Sequence, residues 1–280
     1  FMGETEFYLL LIPFFYWLVN KSFGRRLTYL LLITGYLNTF AKNIFKLPRP
    51  PQVDPRVAPL VKQDGYGLPS GHSMSSMAVW GYAGWYWRKS KPWLIPLAIV
   101  FISSIAFSRL YLAVHFPADV ITGLTFGLLI LLLWIKLLPN IQRWIEQADD
   151  KLLLALSVLV PLTMLFLSPG DATGYPSEAI ATTTGVLMGA SIGFIFEARR
   201  VQFSVSGSWL QKLLRYVVGA LFIGVFWFGL RVLFSFVPGG HLLEITLRFV
   251  RYLVSGLALG WWAPAVFVRF GLAKTVNSEE

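Results

Sequence analysis

Three short segments of the sequence contain most of the residues whose side chains can do chemistry. They are Lys42 to Pro50, Pro69 to His72, and Ser108-Arg109 with His115 and Asp119. Together they supply cations, hydroxyls, a glycine, two histidines and one carboxylate. Arginine matches phosphate oxygens in bidentate geometry and lysine adds a point charge, so this set suits a bound phosphate. The predicted phosphate-binding residues are Lys42, Arg49, Ser70, Gly71 and Arg109.

The spacing of His115 and Asp119 predicts a nucleophile. His115 stands four residues before Asp119, and a carboxylate at that distance can hold one imidazole nitrogen, so that the other nitrogen points at phosphorus. His72 has no acidic residue close by in sequence. It follows Ser70 and Gly71, which lie where a predicted span begins and can bind an anion, so we predict it as the general acid. The competing interpretation of His115 is a histidine that caps a helix. The competing interpretation of Lys42 is a lysine near the end of a span that extends its charged group to the membrane interface.

These segments lie at the ends of long apolar stretches. Of the 280 residues, 56% are hydrophobic and only 14% are charged, which is more apolar side chain than a soluble domain of this length usually buries. We therefore predict an all-α, polytopic helical membrane protein with about nine transmembrane helices. The predicted spans are 5–20, 27–46, 71–88, 92–110, 118–139, 151–168, 178–196, 211–236 and 242–268.

The charge pattern predicts which side of the membrane the three segments face. The net charge is +10, but the basic residues are scattered between apolar stretches and form no dense stripe, which argues against a nucleic-acid partner. By the positive-inside rule, the more basic set of connections is cytoplasmic. The segments 47–70 and 109–117 fall on the other side although they are basic, and an anionic ligand on the outer face accounts for them. Cysteine is absent and histidine is scarce, so we expect no metal and no cofactor.

A polar stretch from Gln142 to Lys151 divides the sequence into two halves. We predict a catalytic transmembrane core over residues 1–141 and an accessory four-helix transmembrane region over residues 142–280, which carries no motif. Glycines in several spans are four residues apart, as at Gly185 and Gly189, and small residues at that spacing let helices approach closely in lipid. We interpret them as intramolecular packing, with a homodimer face as the alternative.

Four charged residues fall within or near the outer parts of the last two predicted spans, where charge is costly. They are Arg231, Glu244, Arg248 and Arg251. We favour pairing of Glu244 with one of the arginines. The alternative is a second contact for the anionic headgroups of lipids.

The three segments resemble the type 2 phosphatidic acid phosphatase superfamily, whose fold is shared with vanadium haloperoxidases and some bacterial acid phosphatases. The family pattern is Lys, six residues and Arg-Pro, then Pro-Ser-Gly-His, then Ser-Arg with a His and an Asp at set intervals, and every motif position here matches it. The resemblance covers about residues 5–139. It implies a helical core, a phosphohistidine on His115 supported by Asp119, acid catalysis by His72, and no metal requirement. Membrane members often have three spans before the first motif, whereas two are predicted here, and a missing N-terminal span would explain this difference.

The resemblance and the apolar scaffold together predict an integral membrane lipid phosphatase. It would hydrolyse a lipid phosphate monoester or diphosphate at the outer, periplasmic or extracellular face of a bacterial cytoplasmic membrane. The alternatives are a phosphotransferase that passes the phosphate to a lipid or sugar, a phosphatase of a soluble phosphate ester, and a transporter or scaffold with a vestigial site.

Overall fold

A computed structural model describes residues 5–171 and 174–276. In this part of the chain the regular structure is helical, and a single isolated bridge joins the extended residues Phe203 and Thr275. The helices are α1 (Thr5–Phe14), α2 (Lys21–Phe45), α3 (Pro50–Val53), α4 (Gly71–Tyr86), α5 (Leu94–Tyr111), α6 (Pro117–Gln147), α7 (Asp150–Leu167), α8 (Glu178–Phe196), α9 (Trp209–Ser235), α10 (His241–Leu257) and α11 (Ala263–Arg269). Three of them continue into π-helical segments, Phe15–Val19 after α1, Glu197–Val201 after α8 and Ala258–Trp262 after α10.

Among the described residues, five helical segments are long and apolar enough to cross a membrane. They are Leu94–Tyr111, Pro117–Gln147, Asp150–Leu167, Glu178–Val201 and Trp209–Ser235. The predicted fold class, an all-α polytopic membrane protein, is thereby confirmed. Its count of nine spans stays a prediction, because α4 and α10 have only 16 and 17 residues and α2 carries charges along its length.

The chain divides into two compact units. One unit comprises Phe1–Tyr8 and Tyr29–Arg143, and the other comprises Leu9–Thr28 and Trp144–Glu280. All the predicted site residues belong to the first unit. The predicted boundary at residue 141 lies close to the end of the first unit, while Leu9–Thr28 groups with the second.

In the first unit, two glycines of α6 allow it to lie directly against α4. A Cβ atom on Gly123 would lie 2.6 Å from the backbone oxygen of Ser70, and one on Gly127 would lie 2.6 Å from the backbone oxygen of Met74. Any larger residue would force the two helices apart. The close approach matters for the site, because Ser70 precedes α4 and the first turn of α6 contains Asp119.

In the second unit, the glycines of α8 make the same kind of contact with α10. A Cβ on Gly185 would lie 2.5 Å from the backbone oxygen of Phe249, and one on Gly189 would collide with the backbone oxygen of Leu253. Gly256 of α10 meets the backbone nitrogen of Ala190 in return, at 2.6 Å. The prediction that these glycines serve packing within the chain is confirmed.

The charges of the last helices pair differently from the prediction. Arg248 forms an ion pair with Glu178 of α8, with 2.6 Å between nitrogen and oxygen. Glu244 lies 3.6 Å from the Nδ1 atom of His241, one turn away on the same helix. The predicted pairing of Glu244 with an arginine is therefore wrong, because a neighbouring turn offers Glu244 a closer partner and α8 offers Arg248 another carboxylate.

Candidate active site

The first motif segment crosses the end of α2 and the start of α3. Lys42 lies in the last turn of α2, which ends at Phe45, and Lys46 follows with a φ of 50° that turns the chain away. Arg49 then occupies the N-cap position of α3, with Pro50 at its first helical position. The Arg49 side chain is buried, so a short loop carries a cation from the helix end into the interior.

The second segment forms the start of α4. Ser70 is the N-cap residue, and its buried hydroxyl accepts a hydrogen bond from the backbone N–H of Ser73 and another from the Ser73 hydroxyl. Gly71 and His72 begin the helix, where backbone N–H groups favour an anion. Asn38 of α2 donates a hydrogen bond to the backbone oxygen of Pro69 at 3.1 Å, which fixes the approach to this helix start.

The third segment is the turn between α5 and α6. Arg109 is buried near the end of α5 and donates from Nε to the Ser108 hydroxyl at 3.1 Å. Ala113, with a φ of 56°, reverses the chain, and His115 follows two residues later. The first turn of α6 contains Asp119, so a tight turn places the histidine over the start of the next helix.

His115 is held by a partner on each side of its ring. Its Nδ1 atom lies 3.2 Å from Oδ2 of Asp119, and its Nε2 atom lies 3.0 Å from Nη1 of Arg49. Arginine can only donate hydrogen bonds, so Nε2 acts as the acceptor and Nδ1 carries the proton that Asp119 accepts. Asp119 is itself fixed, since its Oδ2 also accepts the backbone N–H of Phe116 at 2.9 Å. The contacts therefore assign the tautomer whose lone pair lies on Nε2.

Arg49 is anchored mainly by oxygens of the backbone. Its Nε donates to the carbonyl of Gly65 at 3.0 Å, and Nη2 faces the carbonyl of Asp64 at 3.3 Å. Three acceptors crowd around Nη1: the side-chain oxygen of Gln63, the carbonyl of Val114 and Nε2 of His115. Since Nη1 has only two protons for these three acceptors, two of the acceptors must share one proton. The bond to His115 can be given up without loosening the anchors.

The surroundings lower the pKa of His115. Burial is the largest cause, the hydrogen bond to Asp119 opposes it, and the charges of Arg49 and Lys42 add to the lowering. Burial likewise lowers the pKa of Arg49, against the charges of Asp119 and Asp64. A lowered pKa keeps the His115 ring neutral, which is the state a nucleophile needs.

The structure brings most of the predicted residues together. The backbone N–H of Ser70 donates to the backbone oxygen of Asp119 at 2.9 Å, which joins the start of α4 to the start of α6. Lys42 lies close enough to His115 and Arg49 to act on their charges. The two remaining predicted groups are also buried.

These two are His72 and Arg109. His72 lies in the first turn of α4, two residues beyond the Ser70 cap, and Arg109 lies where its backbone oxygen accepts the N–H of Val114, next to His115 in sequence. The backbone hydrogen bonds thus link the residues that flank these two groups, Ser70 to Asp119 and Arg109 to Val114. Their catalytic roles stay predictions.

Two supporting residues were missed by the sequence analysis. Asn38 has a detectable signal, since it is a polar residue in an apolar stretch one turn before Lys42 and so shares its helix face. Gln63 has none, because only the folded loop brings it to Arg49. The loop charges Lys62 and Arg56 are exposed, and Arg56 pairs with Asp54 at 2.7 Å.

The site holds a buried histidine between a carboxylate and an arginine, at the ends of apolar helices. Such an arrangement suits a membrane protein that binds phosphate. Comparison with protein families agrees. A model described as the PAP2 superfamily matches residues 23–143, and a model described as PAP2 superfamily phosphatase, transmembrane extension, matches residues 181–275. The chain belongs to the PAP2 superfamily, the type 2 phosphatidic acid phosphatases that its motifs resemble.

Individual relatives are similar to about two thirds of the chain. Lipid phosphate phosphatase delta of Arabidopsis thaliana is 30% identical over 206 residues, covering 68% of this chain and 49% of that protein. Sphingosine-1-phosphate phosphatase 2 of Homo sapiens is 30% identical over 204 residues, covering 69% of this chain and 49% of that protein. The chain thus spans about half the length of these curated relatives.

A solved structure is also similar to the chain. It is the crystal structure of a transmembrane PAP2-type phosphatidylglycerolphosphate phosphatase from Bacillus subtilis. It shares 30% sequence identity with a TM-score of 0.42, over 51% of this chain and 74% of that one.

Proposed function

We propose that the chain hydrolyses a lipid phosphate, either a monoester or a diphosphate, through a phosphohistidine on His115. The single observation that carries the proposal is the lone pair of His115 Nε2, which faces Arg49 while Nδ1 is held by Asp119. An imidazole in this state is a nucleophile, and a guanidinium beside it is where a phosphoryl group would bind. The family and the names of the relatives support a lipid phosphate as substrate.

The first step would form the intermediate. The Nε2 lone pair of His115 attacks phosphorus, the bond from phosphorus to the leaving oxygen breaks, and His72 gives that oxygen a proton. Arg49 transfers its donor from Nε2 to a phosphoryl oxygen, which its crowded Nη1 permits. Asp119 stabilises the cationic ring that results.

The second step would release phosphate. His72, now neutral, takes a proton from water, and the resulting hydroxide attacks the phosphorus of the phosphohistidine. The bond between phosphorus and nitrogen breaks, and its electron pair returns to Nε2. Lys42, Arg109 and the N-terminus of α4 would bind the phosphate oxygens throughout, because cations and free N–H groups match the charge of the transition state.

Phosphate release by purified protein in detergent tests the nucleophile. His115→Ala should lower the rate by at least about a thousandfold, as removal of a covalent nucleophile usually does. His241→Ala is the matched control, since this histidine lies in the second unit, and it should keep the wild-type rate. His72→Ala should slow release of phosphate and let a phosphohistidine be detected by mass spectrometry. Unchanged turnover by His115→Ala would overturn the proposal.

A panel of lipids tests the substrate class. Sphingoid phosphates, phosphatidic acid, phosphatidylglycerol phosphate and polyprenyl diphosphates would be compared with a water-soluble phosphate ester. We expect the highest kcat/KM with a lipid, and a preference for the soluble ester would contradict this part of the proposal. Mass spectrometry of products with added lipid or sugar acceptors separates hydrolysis from phosphoryl transfer.

We also propose that the site faces the outside of the cytoplasmic membrane of a bacterium. The chain has no cysteine, so single cysteines report sidedness without further changes. Lys62→Cys places a cysteine in the exposed loop that holds Arg49. Lys91→Cys places one in the exposed turn between the end of α4 and the start of α5, at the helix ends away from the site. A membrane-impermeant maleimide should label only the first in intact cells. Labelling of Lys91→Cys alone would reverse the proposed orientation.

The division of labour between the halves is part of the same proposal. Every residue with a proposed catalytic or phosphate-binding role lies in residues 1–141, which we assign to catalysis, and residues 142–280 are assigned an accessory role. The chemistry needs no homodimer, because a single chain supplies all of these side chains. The proposed steps also use no metal ion.

A further inference from the structure

The second unit contains a group of arginines that the proposed catalysis does not use. Arg231 lies near the end of α9, and Arg248 and Arg251 lie on α10. Arg231 and Arg251 both face the ring of Trp227, with the guanidinium carbons 5.7 Å and 5.6 Å from the ring centre. The side chain of Arg251 also lies over the ring of Tyr252, at 5.1 Å. Two cations thus share one indole.

Nearby carboxylates are already engaged. Glu178 pairs with Arg248, and Glu244 faces His241. Among the described residues, no carboxylate lies within ion-pair distance of Arg231 or Arg251. Burial is the largest cost to the charge of Arg251, and the like charges of Arg248 and Arg231 add to it, while Tyr252 opposes them.

Two hydrogen-bond donors of this group are buried. The Nε atom of Arg251 and the Nε1 atom of Trp227 are both buried, and neither has a hydrogen-bond partner in the described part of the chain. Leaving a buried donor unsatisfied is costly, and more so for a charged one. An anion with at least two acceptor oxygens would satisfy both donors.

The surface of α9 beside this group suits an acyl chain. The helix is long and apolar enough to cross a membrane, and Arg231 lies one turn before its end at Ser235. Val225, Phe228 and Val232 repeat at helical spacing and are exposed on it. A phosphate at the end of such a helix with an apolar surface below it is the geometry of a phospholipid in its leaflet.

We propose that Arg231, Arg251 and Trp227 bind the phosphate of an anionic phospholipid at the face shared by α9 and α10. The phosphate oxygens accept hydrogen bonds from Nε of Arg251 and Nε1 of Trp227, and the charge of the lipid neutralises the two guanidinium groups. The acyl chains lie along the exposed apolar residues of α9. The site is separate from the proposed catalysis, so its ligand need not be a substrate.

Native mass spectrometry of delipidated protein in detergent tests this site. Phosphatidylglycerol is titrated against wild-type protein, Arg251→Gln, Arg231→Gln and the control Arg269→Gln, which removes an exposed charge of α11. Losing a charge-assisted bond should weaken binding about tenfold or more in the first two variants and leave the control unchanged. Phosphatidylcholine and inorganic phosphate are titrated in parallel, and both should bind more weakly than phosphatidylglycerol.

The outcomes separate the sources of phosphate. Wild-type affinity for phosphatidylglycerol in Arg231→Gln and Arg251→Gln overturns the proposal. Equal binding of phosphatidylcholine overturns the requirement for an anionic lipid, and displacement by inorganic phosphate at similar concentration assigns the group to a free anion instead. If Arg251→Gln does not fold, Arg231→Gln carries the test, because its side chain is exposed. The readout is binding, so the result does not depend on hydrolysis.

Discussion

The contact between His115 and Asp119 allows charge to be tested apart from geometry. One oxygen of Asp119, Oδ2, serves both Nδ1 of His115 at 3.2 Å and the backbone N–H of Phe116 at 2.9 Å. In Asp119→Asn the amide oxygen can occupy the position of Oδ2 and accept both hydrogen bonds. The opposite orientation is disfavoured, because the amide nitrogen would then face the N–H donor of Phe116. The tautomer of His115 is then preserved. The substitution removes the negative charge alone.

The expected loss follows from the distance. Attack on phosphorus makes the His115 ring cationic, and two unit charges 3.2 Å apart interact by about 5 kcal/mol at an effective dielectric constant of about 20. The smallest loss is that of one hydrogen bond to a charged group, about 1.5 kcal/mol. We therefore expect kcat of Asp119→Asn to fall between about tenfold and about 5,000-fold. Asp119→Ala should lose more, because two donors lose their acceptor.

The assay is steady-state phosphate release from a lipid phosphate in detergent, with kcat and KM determined separately. Asp54→Asn is the control, since this partly exposed carboxylate pairs with Arg56 in the same loop and should keep wild-type kcat. Thermal unfolding shows whether each variant is folded. A folded Asp119→Asn protein with wild-type kcat would refute the role of the charge. An equal loss of kcat in Asp119→Asn and Asp119→Ala would refute the separation of charge from geometry.

Three further predictions concern packing, pH and metal. Gly123→Ala should cost about 1–3 kcal/mol of stability and lower the Tm, because its Cβ would lie 2.6 Å from the backbone oxygen of Ser70. Arg49→Gln should move the acidic limb of the pH–rate profile to higher pH, because the Arg49 charge lowers the pKa of His115, and activity is lost as pH falls through that pKa. EDTA should leave phosphate release unchanged.

Each of these has its control. Gly35→Ala meets no atom within 4 Å and should keep or raise the Tm, so equal behaviour of the two glycine variants would contradict the packing argument. Arg49→Lys keeps the charge and should leave the acidic limb in place. A limb that moves to lower pH in Arg49→Gln would mean that the charge does not act on His115. Strong inhibition by EDTA that added zinc or magnesium reverses would point to a metal-dependent reaction.

Much of the site could be predicted because its parts are local. His115 and Asp119 are four residues apart, and Pro117 begins α6, so the helix itself sets their separation. A span was predicted to begin at residue 71, and Ser70 is the N-cap of α4. The all-helical membrane fold followed from the apolar stretches, because lipid leaves the backbone few other ways to satisfy its hydrogen bonds.

Contacts between distant residues could not be predicted in this way. Arg49 meets the Nε2 atom of His115 across 66 positions, and this contact assigns the tautomer. Glu244 was expected to pair with an arginine, but its nearest partner is His241. Both outcomes depend on which loop or helix face packs against which, and on competition among several similar partners.

The sequence by itself therefore determined the class of fold, the family and the residues that can do the chemistry, because apolar length and helical spacing are properties of the chain alone. The tertiary structure decided which nitrogen of His115 carries the lone pair and how Arg49 is anchored. It also left Arg231 and Arg251 together on one indole. These depend on directions in space, since a hydrogen bond or an ion pair forms only where packing brings donor and acceptor within about 3 Å.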